Sequence, residues 1–244
     1  NTEFGYLRIK YGSLAPYNVV YWGVGNENWG CGGSMTPKYY ADLYRQYACY
    51  LRQQAGDSIK LILCGSNPDL DDWDEIVLKK SSSLYFSLVD YISLHVYTGF
   101  GISQSEITLE KYHKIISDID VTKKKIERAI ELSKLYSGNK KNIKVILDEW
   151  GLWYKEADVP NGLYQDGLFL DSIFAALNFH LFHQFSGDLF MTNMAQTVNV
   201  LQSFILTRGP AMVLTPTYYV YKMYKPHRDN YIVPTIMESP EVIL

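Results

Sequence analysis

The sequence is poor in residues that would tie it to a metal or a disulfide framework. Its three cysteines, Cys31, Cys49 and Cys64, include no closely spaced pair, and an odd number cannot all pair within one chain. Reduced thiols are expected, with no metal. Charge of one sign is also scarce: a net charge of -3 argues against nucleic acid or an anionic membrane as partner. No apolar run approaches the roughly 20 residues of a membrane span, and the N-terminus carries no signal-peptide pattern. The opening "NTEFGYLRIKYGS" has neither a Met nor a cap, so it reads as the middle of something longer. That leaves the compartment open between cytoplasmic and periplasmic or secreted. A phosphate-binding glycine loop is missing as well. "GCGG" (30–33) lacks the lysine of a P-loop and the spacing of a dinucleotide fingerprint, which disfavours a nucleotide-binding doubly wound fold.

What is present suits a soluble globular protein. At 244 residues, 47% hydrophobic and 20% charged, the chain is long enough for one large domain or two small ones with a sizeable core. Its 21 tyrosines and 5 tryptophans offer flat faces with polar edges, which suit a sugar cleft and equally an ordinary core. Short apolar runs alternate with amphipathic ones. Strands are expected at 19–24, 60–65, 90–97, 143–150 and 188–193. Between and after them, helices are expected from Thr36–Pro37 to a stop at Gly56, over 71–80, within 108–136, within 167–184, and over 216–224. Strand–helix alternation without hairpin signals argues for a parallel α/β sheet, and continuously apolar strands for a sheet covered on both faces. A β/α barrel fits best, with its site at the C-terminal ends of the strands.

Two of these strands end in a glutamate beside a tryptophan: Glu27 in "GVGNENWG" and Glu149 in "ILDEWGLW". Alone, either carboxylate is adequately explained as a cap or a surface charge. Together, across the mouth of a barrel, they form the minimum apparatus for glycoside hydrolysis, in which one carboxyl donates a proton and the other attacks the anomeric carbon. His95, on an apolar strand, reads equally as a satisfied core histidine or a site residue. His180 and His183 share a helix face without a third ligand and read as a buried or partly buried face. The run Lys123–Lys125 reads as solvated, and Trp29 and Cys31 as shaping the loop beside Glu27.

"YWGVGNENWG", "ILDEWGLWY", "NMAQTVNVLQ" (193–202) and "LTPTYYVYKMYKPH" (214–227), in this order and spacing, resemble glycoside hydrolase family 51, the α-L-arabinofuranosidases. The resemblance implies a (β/α)8 TIM-type barrel of which 1–244 holds strands four to eight. The early strands and the family's C-terminal β-sandwich would then be absent. It implies a retaining, exo-acting hydrolase that releases terminal α-L-arabinofuranose from arabinan, arabinoxylan or their oligosaccharides in hemicellulose degradation, without a cofactor. Glu27 matches the acid/base and Glu149 the nucleophile. Asn26 matches the amide that holds the sugar 2-hydroxyl, Tyr97 a donor to the nucleophile, Trp153 a wall of the furanose subsite, and Gln196 a contact to the exocyclic hydroxyl. His95 joins them as a candidate substrate-binding residue. The family also suggests a homo-oligomer for the full-length enzyme. Two alternatives stay open: another retaining glycosidase of the same clan, such as a β-xylosidase or endoglucanase, or an inactive carbohydrate-binding fragment.

Overall fold

The structure, a computed structural model, describes residues 2–70, 72–82, 88–137, 142–236 and 238. Asp71, where the second expected helix would start, lies outside them. The chain forms two compact units, one of Asn1–His95 with Lys125–Asp148, the other of Val96–Lys124 with Glu149–Leu244.

The first unit opens with helix α1 (Glu3–Lys10), which the sequence did not announce. Thr2 caps it, accepting from the Gly5 amide at 3.1 Å, so the expectation of an uncapped opening is corrected. Strand β1 (Tyr21–Val24) leads to helix α2 (Pro37–Ala55), strand β2 (Lys60–Leu63) and helix α3 (Trp73–Ser81). The unit also holds strand β3 (Tyr91–Thr98) as far as His95, helix α5 (Ile119–Ser137) from Lys125 on, and strand β4 (Lys144–Leu152) as far as Asp148. Its strands are ordered β1-β2-β3-β4, with β1 parallel to β2 and β2 parallel to β3.

Helix α2 follows its punctuation closely. Thr36 accepts from the Tyr39 amide at 3.3 Å, Pro37 fills the first turn, where no amide is needed, and Gly56 closes the helix. Tyr40, Ala41, Tyr44 and Ala48 form its buried stripe. Tyr40 stacks on Trp73 with ring centroids 5.6 Å apart. Its hydroxyl donates to the Val24 carbonyl and accepts from the Cys64 amide, both at 2.7 Å, so one side chain pins the ends of β1 and β2. Thr36→Ala deletes only the cap and is expected to lower stability by about 1 kcal/mol, read as a small fall in the denaturant midpoint with unchanged m.

The expectation of a strand covered on both faces fails for β1. Tyr21 and Trp22 are 40% and 44% exposed, because β1 is the edge of its sheet and pairs only through β2 in the described residues. It holds for β3 and β4, where Ile92 and Leu94 on one face and Ser93 on the other, and Val145 and Leu147 on one face and Ile146 on the other, are buried.

The second unit contains the remaining parts of β3, α5 and β4, helix α4 (Leu109–Ser117), helix α6 (Phe169–Gln184) and strand β5 (Leu189–Met194), with β5 pairing onto β4. The single helix expected within 108–136 is two. At the break the Ser117 hydroxyl donates to the Lys114 carbonyl at 2.8 Å, a local bond that competes with helix continuation, and Asp118 caps α4. Trp150, fully buried, meets the edges of Phe179 and Phe182 of α6 at 6.0 and 4.9 Å.

A hairpin follows where none was expected. Strands β6 (Ile205–Arg208) and β7 (Ala211–Leu214) pair antiparallel across Gly209-Pro210. That Gly-Pro dipeptide between two apolar runs was the signal. Helix α7 (Pro216–Tyr224) then starts at a second Thr-Pro cap, with Thr215 accepting from the Tyr218 amide.

Candidate active site

Beyond Val24 the chain turns into a tight loop that presents Glu27. The Glu27 carbonyl accepts from the Gly30 and Gly32 amides at 2.7 and 2.9 Å, and Asn28 closes the loop by donating to the Gly32 carbonyl at 3.0 Å. A Cβ on Gly32 would fall 1.7 Å from the Asn26 carbonyl oxygen, so only glycine fits this approach. Glu27 itself has a φ of 43°, in the left-handed region. The strand ended earlier than the sequence suggested, and the loop, not the strand tip, aims the carboxylate.

The Glu27 side chain is gripped at both oxygens. Oε1 lies 2.7 Å from His95 Nδ1, and Oε2 accepts from the Cys31 thiol at 3.0 Å. His95 is 4% exposed, and its Nε2 sits 3.3 Å from Asp148 Oδ1 without the alignment of a full hydrogen bond. The imidazole is thus a buried neighbour of two carboxylates. The Trp29 ring stands edge-on to His95 at 6.3 Å. Asn26, by contrast, is exposed. No disulfide joins the cysteines; burial pushes the Cys64 thiol up to about 12, as suits an inert core sulfur.

In the second unit, Glu149 lies within β4, short of its end at Leu152, and so is not at the strand tip. The Tyr97 hydroxyl donates to its Oε2 at 2.8 Å. Trp153 meets Tyr97 edge-on at 5.2 Å and Phe100 at 5.5 Å, and its indole donates to the Ala157 carbonyl at 2.7 Å. Ala157, Ala195 and Leu201 form the small apolar cluster against which Tyr97 and Trp153 pack. Gln196 is exposed, with its backbone amide donating to Val200.

Two buried glutamines that the sequence did not single out hold the chain just past Glu149. Gln202 accepts from the Leu152 amide at 2.9 Å and donates to the Asp171 carbonyl at 2.8 Å. Gln165 accepts from the Tyr154 amide and donates to the Leu152 carbonyl, both at 3.0 Å. Below them Asp171 accepts from the Tyr154 hydroxyl and the Leu168 amide. Burial outweighs both donors and pushes the Asp171 carboxyl up to about 7.

Two further expectations need correction. Lys123 and Lys124 are exposed, but Lys125 is buried, 2.6 Å from Asp74 Oδ2 and 2.5 Å from Ser66 Oγ. His180 is exposed rather than buried, and its ring contact with Tyr224, centroids 5.8 Å apart, leaves it open to solvent. His183 stacks on His227, centroids 5.2 Å apart at 15°, and burial, followed by the two neighbouring imidazoles, lowers its pKa.

Comparison with known proteins gives the relatives of the chain. Residues 148–243 match the model of the alpha-L-arabinofuranosidase C-terminal domain. An intracellular exo-alpha-L-arabinofuranosidase of Bacteroides ovatus is 40% identical over 239 residues, covering 93% of this chain and 45% of that protein. The crystal structure of a GH51 arabinofuranosidase from Xanthomonas axonopodis pv. citri superposes with a TM-score of 0.84 at 35% identity, over 94% of this chain and 47% of the other. An alpha-L-arabinofuranosidase from Thermotoga maritima, solved with arabinose, gives 0.76 at 30% identity, over 91% and 43%. The chain spans about half the length of the relatives it matches.

Proposed function

Because the chain belongs to glycoside hydrolase family 51, we propose that it supplies the two catalytic carboxylates of a retaining α-L-arabinofuranosidase, Glu27 as acid/base and Glu149 as nucleophile. The observation that carries this reading is the Tyr97–Glu149 hydrogen bond of 2.8 Å. A phenol hydrogen on Oε2 holds the carboxylate in a fixed orientation. The curated and solved relatives, named as arabinofuranosidases, support the choice of sugar.

The reaction runs as a double displacement. Glu27 gives its proton to the glycosidic oxygen while the Glu149 carboxylate forms a bond to the anomeric carbon and the aglycone leaves. Glu27, now a carboxylate, takes a proton from water, whose oxygen displaces Glu149 and restores both groups. His95 and Cys31, each against one Glu27 oxygen, keep the acid/base side chain in one rotamer through both steps. Asn26 binds the sugar 2-hydroxyl, Trp153 walls the furanose, and Gln196 reaches its exocyclic hydroxyl. The substrate is an arabinose-containing oligo- or polysaccharide. The reading includes that the parallel sheet is part of an eight-stranded barrel, contributing its fourth to eighth strands.

Proton NMR of the anomeric signal during early hydrolysis by the full-length protein tests the mechanism. The α-arabinofuranose signal is expected first. A β signal appearing first would exclude double displacement.

A further inference from the structure

The turn that follows β2 is held by several polar contacts. The Cys64 carbonyl accepts from the Trp73 indole at 3.0 Å, and the Gly65 carbonyl from the Trp29 indole at 3.0 Å. The Ser66 carbonyl accepts from the His95 amide at 3.2 Å, and the Ser66 amide donates to Asp74 Oδ1 at 2.8 Å. Lys125 closes the arrangement: its ammonium donates to Asp74 Oδ2 at 2.6 Å and to Ser66 Oγ at 2.5 Å. Asp74 and Lys125 are 1% and 9% exposed. Burying two opposite charges this far is a poor way to gain stability, since desolvation offsets most of their attraction. What the pair does gain is a fixed position for Ser66.

That position matters because two carbonyls of the turn reach the surroundings of Glu27. Ser66 holds the backbone of His95, whose ring contacts Glu27, and Gly65 holds Trp29, which stands edge-on to that ring. We propose that Lys125 is a positioning residue for the acid/base: through Asp74 and Ser66 it sets the placement of His95 and Trp29, and so the aim of the Glu27 carboxyl. This rests on the assignment of Glu27 as proton donor. Lys125 touches no substrate; it acts at one remove, through the turn.

A residue acting this way affects the step that needs Glu27 most. In the full-length protein, Lys125→Met is expected to lower kcat on arabinofuranosides with poor leaving groups by about tenfold or more, with KM little changed. Aryl arabinofuranosides with acidic phenols should lose only about twofold to threefold, because they hardly need protonation. In a Glu27→Ala background Lys125→Met should have no further effect, since the group it aims is gone.

Lys125→Met leaves Asp74 buried without its cation and so lowers stability for an unrelated reason. The double variant Lys125→Met with Asp74→Leu removes that problem. It should recover Tm yet keep the leaving-group-selective defect, because Ser66 still lacks its contacts to the Asp74 carboxylate and the Lys125 ammonium. A loss equal on all substrates that disappears as Tm recovers would overturn the proposal.

One readout does not depend on turnover. The His95 ring-proton resonance, assigned by its loss in His95→Gln, should be displaced in the double variant. If the wild type fails to release arabinose, the function proposed above falls, and this resonance still decides the positioning role. An unmoved His95 signal ends it.

Discussion

Replacing Glu149 by Ala in the full-length protein is expected to abolish turnover of every arabinofuranoside offered, by a factor on the order of 10⁴ or more. No leaving group, however good, substitutes for the missing nucleophile. Glu27→Ala should behave differently. It removes proton donation, which natural linkages require and nitrophenolates do not, so activity on aryl arabinofuranosides with acidic phenols should survive in appreciable part while activity on oligosaccharides is lost. Steady-state kinetics of both variants on a series of aryl arabinofuranosides and on an arabino-oligosaccharide separate the roles. Steep leaving-group dependence in Glu149→Ala, and not in Glu27→Ala, would mean the assignments are reversed. The same comparison, made on xylosides, asks whether another retaining activity is the better name for the site.

Gly65→Ala should be among the most damaging single methyl groups that can be added near the site. A Cβ there would lie 1.9 Å from the Ser93 carbonyl oxygen, 3.0 Å from Ile92 and 3.1 Å from Asp74 Oδ1. The nearest of these is backbone in β3, which has no flexible end to swing away. The only relief is to part the turn from β3, where Ser66 accepts from His95. We expect a loss of more than about 3 kcal/mol, at or beyond the upper end of ordinary overpacking. Chemical denaturation followed by tryptophan fluorescence measures it. A loss below about 1 kcal/mol would show that β2 and β3 approach less closely at this point than described.

Much of the framework was legible because its signals are local. Thr36-Pro37 and Thr215-Pro216 start helices by chemistry contained in two adjacent residues, and the five apolar runs at 19–24, 60–65, 90–97, 143–150 and 188–193 each overlap an observed strand. Glu27 and Glu149 were visible for the same reason, each in a short distinctive string. The partners of these residues were not legible from residue types alone. His95 meets Glu27 across 68 positions of sequence, and Tyr97 meets Glu149 across 52. The Tyr97 contact was expected only through the family resemblance. Lys125 was misread because it stands in a run of three lysines, and its neighbours Ser66 and Asp74 are 59 and 51 positions away. The break at Asp118 and the hairpin around Gly209-Pro210 had local signals, outweighed in reading by the longer helical and strand–helix periodicities around them. The exposure of β1 had none: an apolar strand at the edge of a sheet and one at its centre are spelled alike.

The left-handed backbone at Glu27 carries one more consequence. A non-glycine residue at φ 43° gives up roughly 1–2 kcal/mol that the loop elsewhere recovers. Asparagine and glycine occupy that region with less penalty, and neither can donate a carboxyl proton. Position 27 therefore sets robustness against chemistry. In a population screened for heat tolerance alone, the carboxylate would be among the first groups to disappear, and only selection on sugar release would keep it.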